Sequence, residues 1–476
     1  MQVPAITKFI IILSVLFALP AYANPVLSNV DIEPVSLAGK PYYRINADFL
    51  SDFKRSDRSR GEFSVPFSAL VPQGSCNNTV IVDVVNSVLF EFPVTPLGHI
   101  TLNLAQQFLG ETFIAGRGGD DGFIYVAAQW NKSVTDVLAN GQIERSTDGY
   151  HVFDQLSQAL RKGLLYKYLP SASRCKVDLL LAFGWSQTGK LLAGILTDDL
   201  NGKPSQPMFD GLFLGVAGGI CRALRDGEFP WSYHYCTEPP QHHVPTVAFN
   251  TQSEVELALG EGALRQPSGI LAIYDYAGLA HIDAQFLPFA AIFSGFEFRQ
   301  NPVSVIPAVR ASFWNLYLQV KYGVPAAESQ LMDAVPVATE PVVFLDSRFD
   351  PSLKSWSGGK VYTADQDGDG VAEGGVRLPH IPTRVNDQVS IGAPLGTYGG
   401  IDFNYAGGGG IFFANGGTFE PYSPEQLAEL YPTKEDYLFK VTSSVLYSVL
   451  QGYLLMEDGL QMIEQADAKE MPHWVE

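Results

Sequence analysis

Positive charge is scarce in this 476-residue chain: Lys and Arg number 31 against 50 Asp and Glu, a formal net charge of −19. A chain so acidic repels phosphate backbones and anionic lipid, so nucleic acid is not expected as a partner. The densest basic stretch, Lys54-Arg55-Ser56-Asp57-Arg58-Ser59-Arg60, carries an acid of its own and reads as a solvated loop. Charge of either sign is sparse, at 17% of residues against 46% hydrophobic, which excludes wholesale disorder. No internal repeat is present. After the first two dozen residues no apolar run reaches the roughly 20 residues a bilayer span needs, so no stable membrane insertion is expected there. Cysteine is limited to four residues. A chain of this length buries a large core without needing disulfides or metals.

The N-terminus does carry a targeting pattern. Lys8 precedes the apolar run Phe9 to Leu19, Pro20 follows, and Ala21-Tyr22-Ala23 is a small-x-small cleavage site. Residues 1–23 read as a secretory signal peptide, with the mature chain starting at Asn24 and the product periplasmic or secreted. Export makes Cys76, Cys175, Cys221 and Cys236 candidate disulfide partners, with free thiols the alternative. Three pairings are open. The closest pair, Cys221 and Cys236, brackets a polar and aromatic loop and is favoured, which leaves Cys76 with Cys175.

Short apolar, β-branched runs recur at 79–86, 123–130, 177–183, 211–216, 245–250 and 269–274. Helical stretches lie between several of them, most clearly 153–169 and 191–200. That alternation predicts an α/β fold with a mostly parallel sheet covered on both faces. Residues 24–75 read as an N-terminal β region and 76–283 as the core. Residues 284–420 read as a cap or loop-rich insertion, and 421–476 as C-terminal helices. All of 24–476 is expected to form one elaborated domain, because the last helices have apolar faces that need a partner. Ser423-Pro424-Glu425-Gln426 is a capping box, and Thr433 is placed to cap a helix with Tyr437, Val441, Val445 and Val449 on one face.

The sharpest motif is Gly184-Trp185-Ser186-Gln187-Thr188-Gly189, directly after the run 177–183 and before a helix. A serine on such a strand–turn–helix elbow projects its hydroxyl above the sheet edge, and small residues around it let neighbouring backbones close in. Thr188 stands where the second glycine of G-x-S-x-G would be. An ordinary turn or a phosphate loop is the alternative, but Gly189-Lys190-Leu191 lacks the hydroxyl that a Walker motif requires.

A nucleophilic serine needs a base, and the base needs an orienting acid. On this architecture the acid and then the histidine follow the serine along the chain. Of eight histidines, His99 and His151 come too early. His234, His242 and His243 precede the last core strand, and His380 and His473 are late. His281 follows the run 269–274 directly. Glu254 is the first carboxylate after 245–250, with Glu256 next and Asp210 and Asp275 weaker. The backbone N–H of Gln187 and one from the turn around Asn86, Ser87 and Val88, Ser87 above all, are the expected oxyanion donors. Trp185 and Trp231 are expected to line the substrate pocket.

These segments resemble a family of secreted bacterial "alpha/beta hydrolase domain" proteins. The likeness runs through Asp83-Val84-Val85-Asn86, the serine motif, Phe209-Asp210-Gly211 and Thr251-Gln252-Ser253-Glu254-Val255. It continues through Arg265-Gln266-Pro267, Ala277 to Asp283, Gly374 to Pro379 and the helices from Ser423. The resemblance implies an α/β-hydrolase fold and esterase activity, with Ser186 and His281 at its motif positions. Its acid segment usually reads Thr-Glu-Thr-Asp. Here Gln252 replaces the first acid and Glu254 occupies the second, while Lys190 stands for a usual arginine.

Weaker signals carry less. Asp365, Asp367 and Asp369 begin like a calcium loop, but Val376 stands where an EF-hand needs its bidentate glutamate; Glu373 offers a different geometry. His234, Cys236, His242 and His243 match no common zinc spacing, so no metal is expected. The expected function is an exported serine hydrolase that cleaves a small or polymeric carboxylic ester and needs no cofactor. Amidase, peptidase or acyltransferase chemistry on the same residues is an alternative, and so is a binding protein without turnover. The oligomeric state is not legible in the sequence.

Overall fold

The computed structural model describes residues 25–474 except 56, 90–98, 118–120, 131–141, 144–147, 171–174, 223–232, 237–243, 259–262, 284–299, 337–361, 369, 386–387 and 403–414. The signal segment, Trp231, His242, His243 and Asp369 therefore lie outside the described residues.

Among the described residues the central sheet has ten strands, nine of them in one continuous path: β1 (Val26–Leu37), β2 (Lys40–Lys54), β3 (Arg60–Pro72), β4 (Thr79–Val84), β5 (Ile124–Ala128), β6 (Leu179–Trp185), β7 (Gly211–Gly215), β8 (Thr246–Thr251) and β9 (Leu271–Tyr276). Their spatial order is β1-β2-β3-β5-β4-β6-β7-β8-β9, with the two-residue strand Gln142–Ile143 paired to β3. Strands β4 to β9 run parallel to one another, as the alternation of apolar runs and helices predicts. The N-terminal β region is more regular than its sequence suggests. It forms three long antiparallel strands that extend the sheet beyond β5.

The sheet is covered on both faces, and side-chain alternation sorts the two cores. Val80, Val82, Ile124, Val126, Leu180, Ala182 and Leu212 point to one face, where α2 (Gly149–Arg161) and α3 (Gln187–Thr197) pack. Ile81, Tyr125, Leu181, Phe183, Phe213 and Phe249 point to the other, where α1 (Leu104–Ile114) and α5 (Ile306–Tyr322) pack. A short helix, α4 (Gln252–Ala258), follows β8. Three C-terminal helices, α6 (Pro424–Leu430), α7 (Lys434–Leu450) and α8 (Met456–Asp467), complete the chain order. Both capping boxes form, at Ser423 and at Thr433. Tyr437, Val441 and Val445 of α7 share the core of α1 and α5. Helices α7 and α8 thus each bury one apolar side in the sheet-covering layer, α8 through Met462 and Ala466.

The chain leaves β4 for β5 on one side and then returns to β6 on the other. Strand order therefore reverses around β4, and the loops beyond its carboxyl end diverge. Such a reversal opens a crevice at the carboxyl ends of the strands, which is where open α/β sheets bind ligands. The turn after β6 opens there. The short strand Asn86–Leu89, which follows β4, lies against α3. Among the described residues no helix is long and apolar enough to cross a membrane.

Candidate active site

Ser186 sits between the last residue of β6 and the first of α3, with φ 54° and ψ −111°. A non-glycine residue holds that conformation only when its surroundings over-determine it. Here they do. The Ser186 N–H donates to the Gly215 carbonyl at 2.9 Å, and the Lys190 N–H donates back to the Ser186 carbonyl at 3.0 Å. A Cβ on Gly184 would lie 2.5 Å from the Thr188 carbonyl oxygen, and one on Gly189 would lie 2.3 Å from that of Gly215. Only glycine lets these backbones approach so closely. Thr188 departs from the usual glycine with a purpose visible in its bonds. Its hydroxyl accepts from the Trp185 N–H at 2.9 Å and donates to the Trp185 carbonyl at 3.1 Å, tying the elbow to itself.

The Ser186 hydroxyl lies 2.9 Å from His281 Nε2. The other ring nitrogen, Nδ1, is hydrogen-bonded to Glu254 Oε1. That contact assigns the tautomer: a carboxylate accepts only, so Nδ1 carries the proton and Nε2 faces the serine as acceptor. Glu254 is buried in the first turn of α4, and its Oε2 accepts from the Thr251 N–H at 2.9 Å and the Thr251 hydroxyl at 2.6 Å. Thr251 to Glu254 has the spacing of a capping box, so one carboxylate closes the helix start and holds the imidazole. Burial pushes the Glu254 carboxyl up. The adjacent His281 and the Thr251 hydrogen bonds outweigh it and hold the group below its ordinary value.

Loops distant in sequence fix this geometry. The Ser253 hydroxyl accepts from the His281 N–H at 3.0 Å and is hydrogen-bonded to the Gly400 carbonyl. Gln252 donates its N–H to the Leu279 carbonyl and accepts the Gly278 N–H through its side chain at 2.9 Å. Asn301 donates to the Gly278 carbonyl at 2.6 Å. None of Ser253, Asn301 and Gly400 was singled out by spacing or composition. The only signal in the chain was Ser253 inside the acid segment.

The remaining candidates separate clearly. Glu256 is buried and accepts from Gln252 at 2.8 Å, and burial raises its carboxyl to about 7. Asp210 is bound by Arg161 and by the Leu180 N–H. Asp275 is bound by Arg265, Asn250 and the Met332 N–H. Gln187 is buried, and its amide opens α3 at the positive end of the helix dipole. The turn expected around Ser87 is instead a strand, in which Ser87 pairs with Thr101. Trp185 is buried between Phe108 and Phe249, with ring centroids 4.5 Å and 5.5 Å away, so its ring is packed into the core. Lys190, half-buried in α3, has its ammonium pushed down to about 8 by desolvation, against the pull of Glu254.

Two disulfides are present, Cys221–Cys236 and Cys76–Cys175. The first joins a small hairpin that packs on α3. Asp365, Asp367 and Glu373 cluster with ligand atoms within 4.8 Å of one another. Asp365 already accepts the Gly368 and Gly370 amides, and Glu373 accepts that of Gln366.

The strand order, the strained elbow and the succession of serine, glutamate and histidine along the chain define the α/β-hydrolase class. The chain belongs to the alpha/beta hydrolase domain family, whose model matches residues 124–464. That stretch contains Ser186, Glu254 and His281 but not β4 or Ser87. Among solved structures the chain is similar to the rice cell wall degrading esterase LipA from Xanthomonas oryzae, at 11% identity over 41% of this chain and 50% of that one, with a TM-score of 0.26. A mutant form of the same esterase is similar at 11% identity over 52% of this chain and 90% of the other, with a TM-score of 0.33. A prolyl endopeptidase structure is similar at 11% identity over 52% and 48%, with a TM-score of 0.22. The chain spans about half the length of the first of these structures. No curated protein matches the chain.

Proposed function

We propose that this hydrolase is an exported serine esterase that works through Ser186, His281 and Glu254. The observation that carries the reading is the unbroken hydrogen-bonded chain from the Ser186 hydroxyl through both ring nitrogens of His281 to Glu254. Ser186 Oγ attacks the ester carbonyl carbon while His281 Nε2 takes the hydroxyl proton. Glu254 holds the imidazole in its tautomer and stabilises the imidazolium. The tetrahedral oxyanion accepts from the Gln187 N–H and from an N–H of the strand containing Ser87. Collapse breaks the carbon–oxygen bond of the leaving alcohol, which receives the proton from His281. Water then repeats the sequence, with His281 as base, and releases the acid and the free Ser186. Ester is the acyl donor that the family resemblance implies. Trp231 and the disulfide-linked hairpin beside α3 are the proposed surroundings of the acyl or alcohol group. The signal pattern before Asn24 and the two disulfides support export, and the core shared with α7 supports a single domain over 24–476.

The test is covalent labelling with a fluorophosphonate probe, followed by p-nitrophenyl acetate hydrolysis. Label on the peptide containing Ser186, lost in Ser186→Ala, is the expected outcome. Glu254→Gln is expected to lower kcat by roughly a thousandfold or more while the protein stays folded. A folded wild type that takes no label and turns over no ester would overturn the reading in favour of a binding protein. Label with turnover of anilides alone would move the assignment to an amidase.

A further inference from the structure

Helix α7 buries one side and exposes the other. Tyr437, Val441 and Val445 enter the core, whereas Leu450 and Phe439 are 83% and 73% exposed. Leu446 and Tyr447 are about half exposed on the same outward side, as are Met456 and Leu460 on α8. The two helices form one hairpin. Gly459 closes on Val445 and Val449, and Asp458 turns inward to Arg310 at 2.8 Å. Met456 and Leu460 are thereby left facing outward beside the α7 stripe.

Three features say what this face meets. The first is its spacing. Positions 439, 443, 446 and 450 alternate by four and three residues, the repeat of a paired-helix seam, with Ser443 its one small member. The second is charge. From Val441 to Met456 there is no Asp, Glu, Lys or Arg, in a chain whose net charge is −19. An anionic membrane is repelled by such a chain, and a charged partner finds no complementary group on the stripe. Two acidic copies repel each other least where charge has been cleared. The third is area. With about 150–250 Å² for each aromatic side chain and somewhat less for each aliphatic one, these exposures leave on the order of 600 Å² of apolar surface. A standard interface buries about 800 Å² on each partner, of which about 65% is apolar in homodimers, or about 520 Å².

We infer that the outward face of the α7–α8 hairpin is a homodimer interface, in which α7 packs on α7 of a second copy about a two-fold axis. A single self-complementary stripe satisfies such an isologous contact, because each copy supplies what the other needs. The inference does not depend on the esterase reading.

Sedimentation velocity of the purified protein from about 1 to 50 µM tests it, beside the double variant Leu446→Glu/Leu450→Glu. The wild type is expected to sediment as a dimer, and the double variant to dimerise roughly 100-fold more weakly. Both substituted side chains are exposed. Should that variant fail to fold, Phe439→Lys at the far end of the stripe serves in its place. A wild type that stays monomeric at the highest concentration overturns the inference. So does a dimer that survives the substitutions, which would lie on another face. A monomer that co-sediments with phosphatidylcholine vesicles would assign the stripe to a neutral lipid surface instead.

Discussion

At Ser186, a single φ of 54° separates the strand–helix elbow from an ordinary turn. Glycine is the residue that adopts this conformation freely, so the serine is held at a cost of about 1–3 kcal/mol. Ser186→Gly is therefore expected to be more stable than Ser186→Ala by about 1–2 kcal/mol, read as a higher urea midpoint at unchanged m-value. Equal stability of the two variants would mean that the elbow is not strained. The neighbouring Thr188 shows how far local sequence carries at this scale. It stands in place of a glycine, and its hydroxyl makes both hydrogen bonds to Trp185 that close the turn. Glu254 and Glu256 differ in the same way. Two positions apart, one faces His281 and the other Gln252. Both were legible as candidates from their place after the strand. The choice between them follows from where α4 begins, which its capping geometry sets.

Elements are held in place by buried polar contacts at their ends. Asp83, the penultimate residue of β4 before the strand containing Ser87, is fully buried. Its Oδ2 accepts from the Ala105 N–H at 3.0 Å and the Tyr125 hydroxyl at 2.8 Å. It thereby supplies the N-terminal acceptor that Asn103, the N-cap of α1, does not. Burial raises its carboxyl to about 7, against the lowering effect of those hydrogen bonds. The folded state thus binds this proton more tightly than the unfolded chain, whose aspartate titrates near 4. The stability it contributes is present in full below about pH 4 and is lost as pH rises through about 7. Asp83→Asn, which cannot ionise, is expected to remove that part of the decline. The check is urea unfolding at several pH values between 4 and 8, where the wild type should lose stability relative to the variant as pH rises. Parallel curves would show that Asp83 does not titrate in this range. Strand runs such as Thr79–Val84 were legible because β-branched residues buried on both faces leave a continuous apolar signature. The long N-terminal strands were not, since their mixed polar pattern also suits short extended segments.

Across the whole molecule, ion pairs join the C-terminal hairpin to the hydrolase core. Arg310 of α5 donates to Asp458 of α8 and to the Phe108 and Leu109 carbonyls, at the point where α1 kinks at Gly110. Arg117 pairs with Glu457 and stacks over Trp314. Asp458 is buried, so Arg310→Met leaves a carboxylate without its cation and is expected to destabilise the protein by about 3–5 kcal/mol. The double variant Arg310→Met/Asp458→Leu is expected to regain much of that loss, measured by urea midpoints. A single variant as stable as the wild type would mean that the hairpin is not tied to the core through this pair.

By itself the sequence determined the parallel core strands and the elbow, and it nominated Ser186, Glu254 and His281, whose side chains the structure brings together. Each is written in local periodicity or in the spacing of a few residues. It also nominated Cys221–Cys236, the bridge between near neighbours that the structure contains. Only the tertiary structure decided the reversal of strand order around β4, the three-stranded extension of the sheet, and the clamp on the His281 loop. That clamp draws on Gly400 and Asn301, in segments far along the chain from Ser253 and Gly278. Pairings of this kind depend on which distant segments can bury their backbone groups together. No local pattern records that, because the partner of each hydrogen bond is chosen only when the whole chain closes.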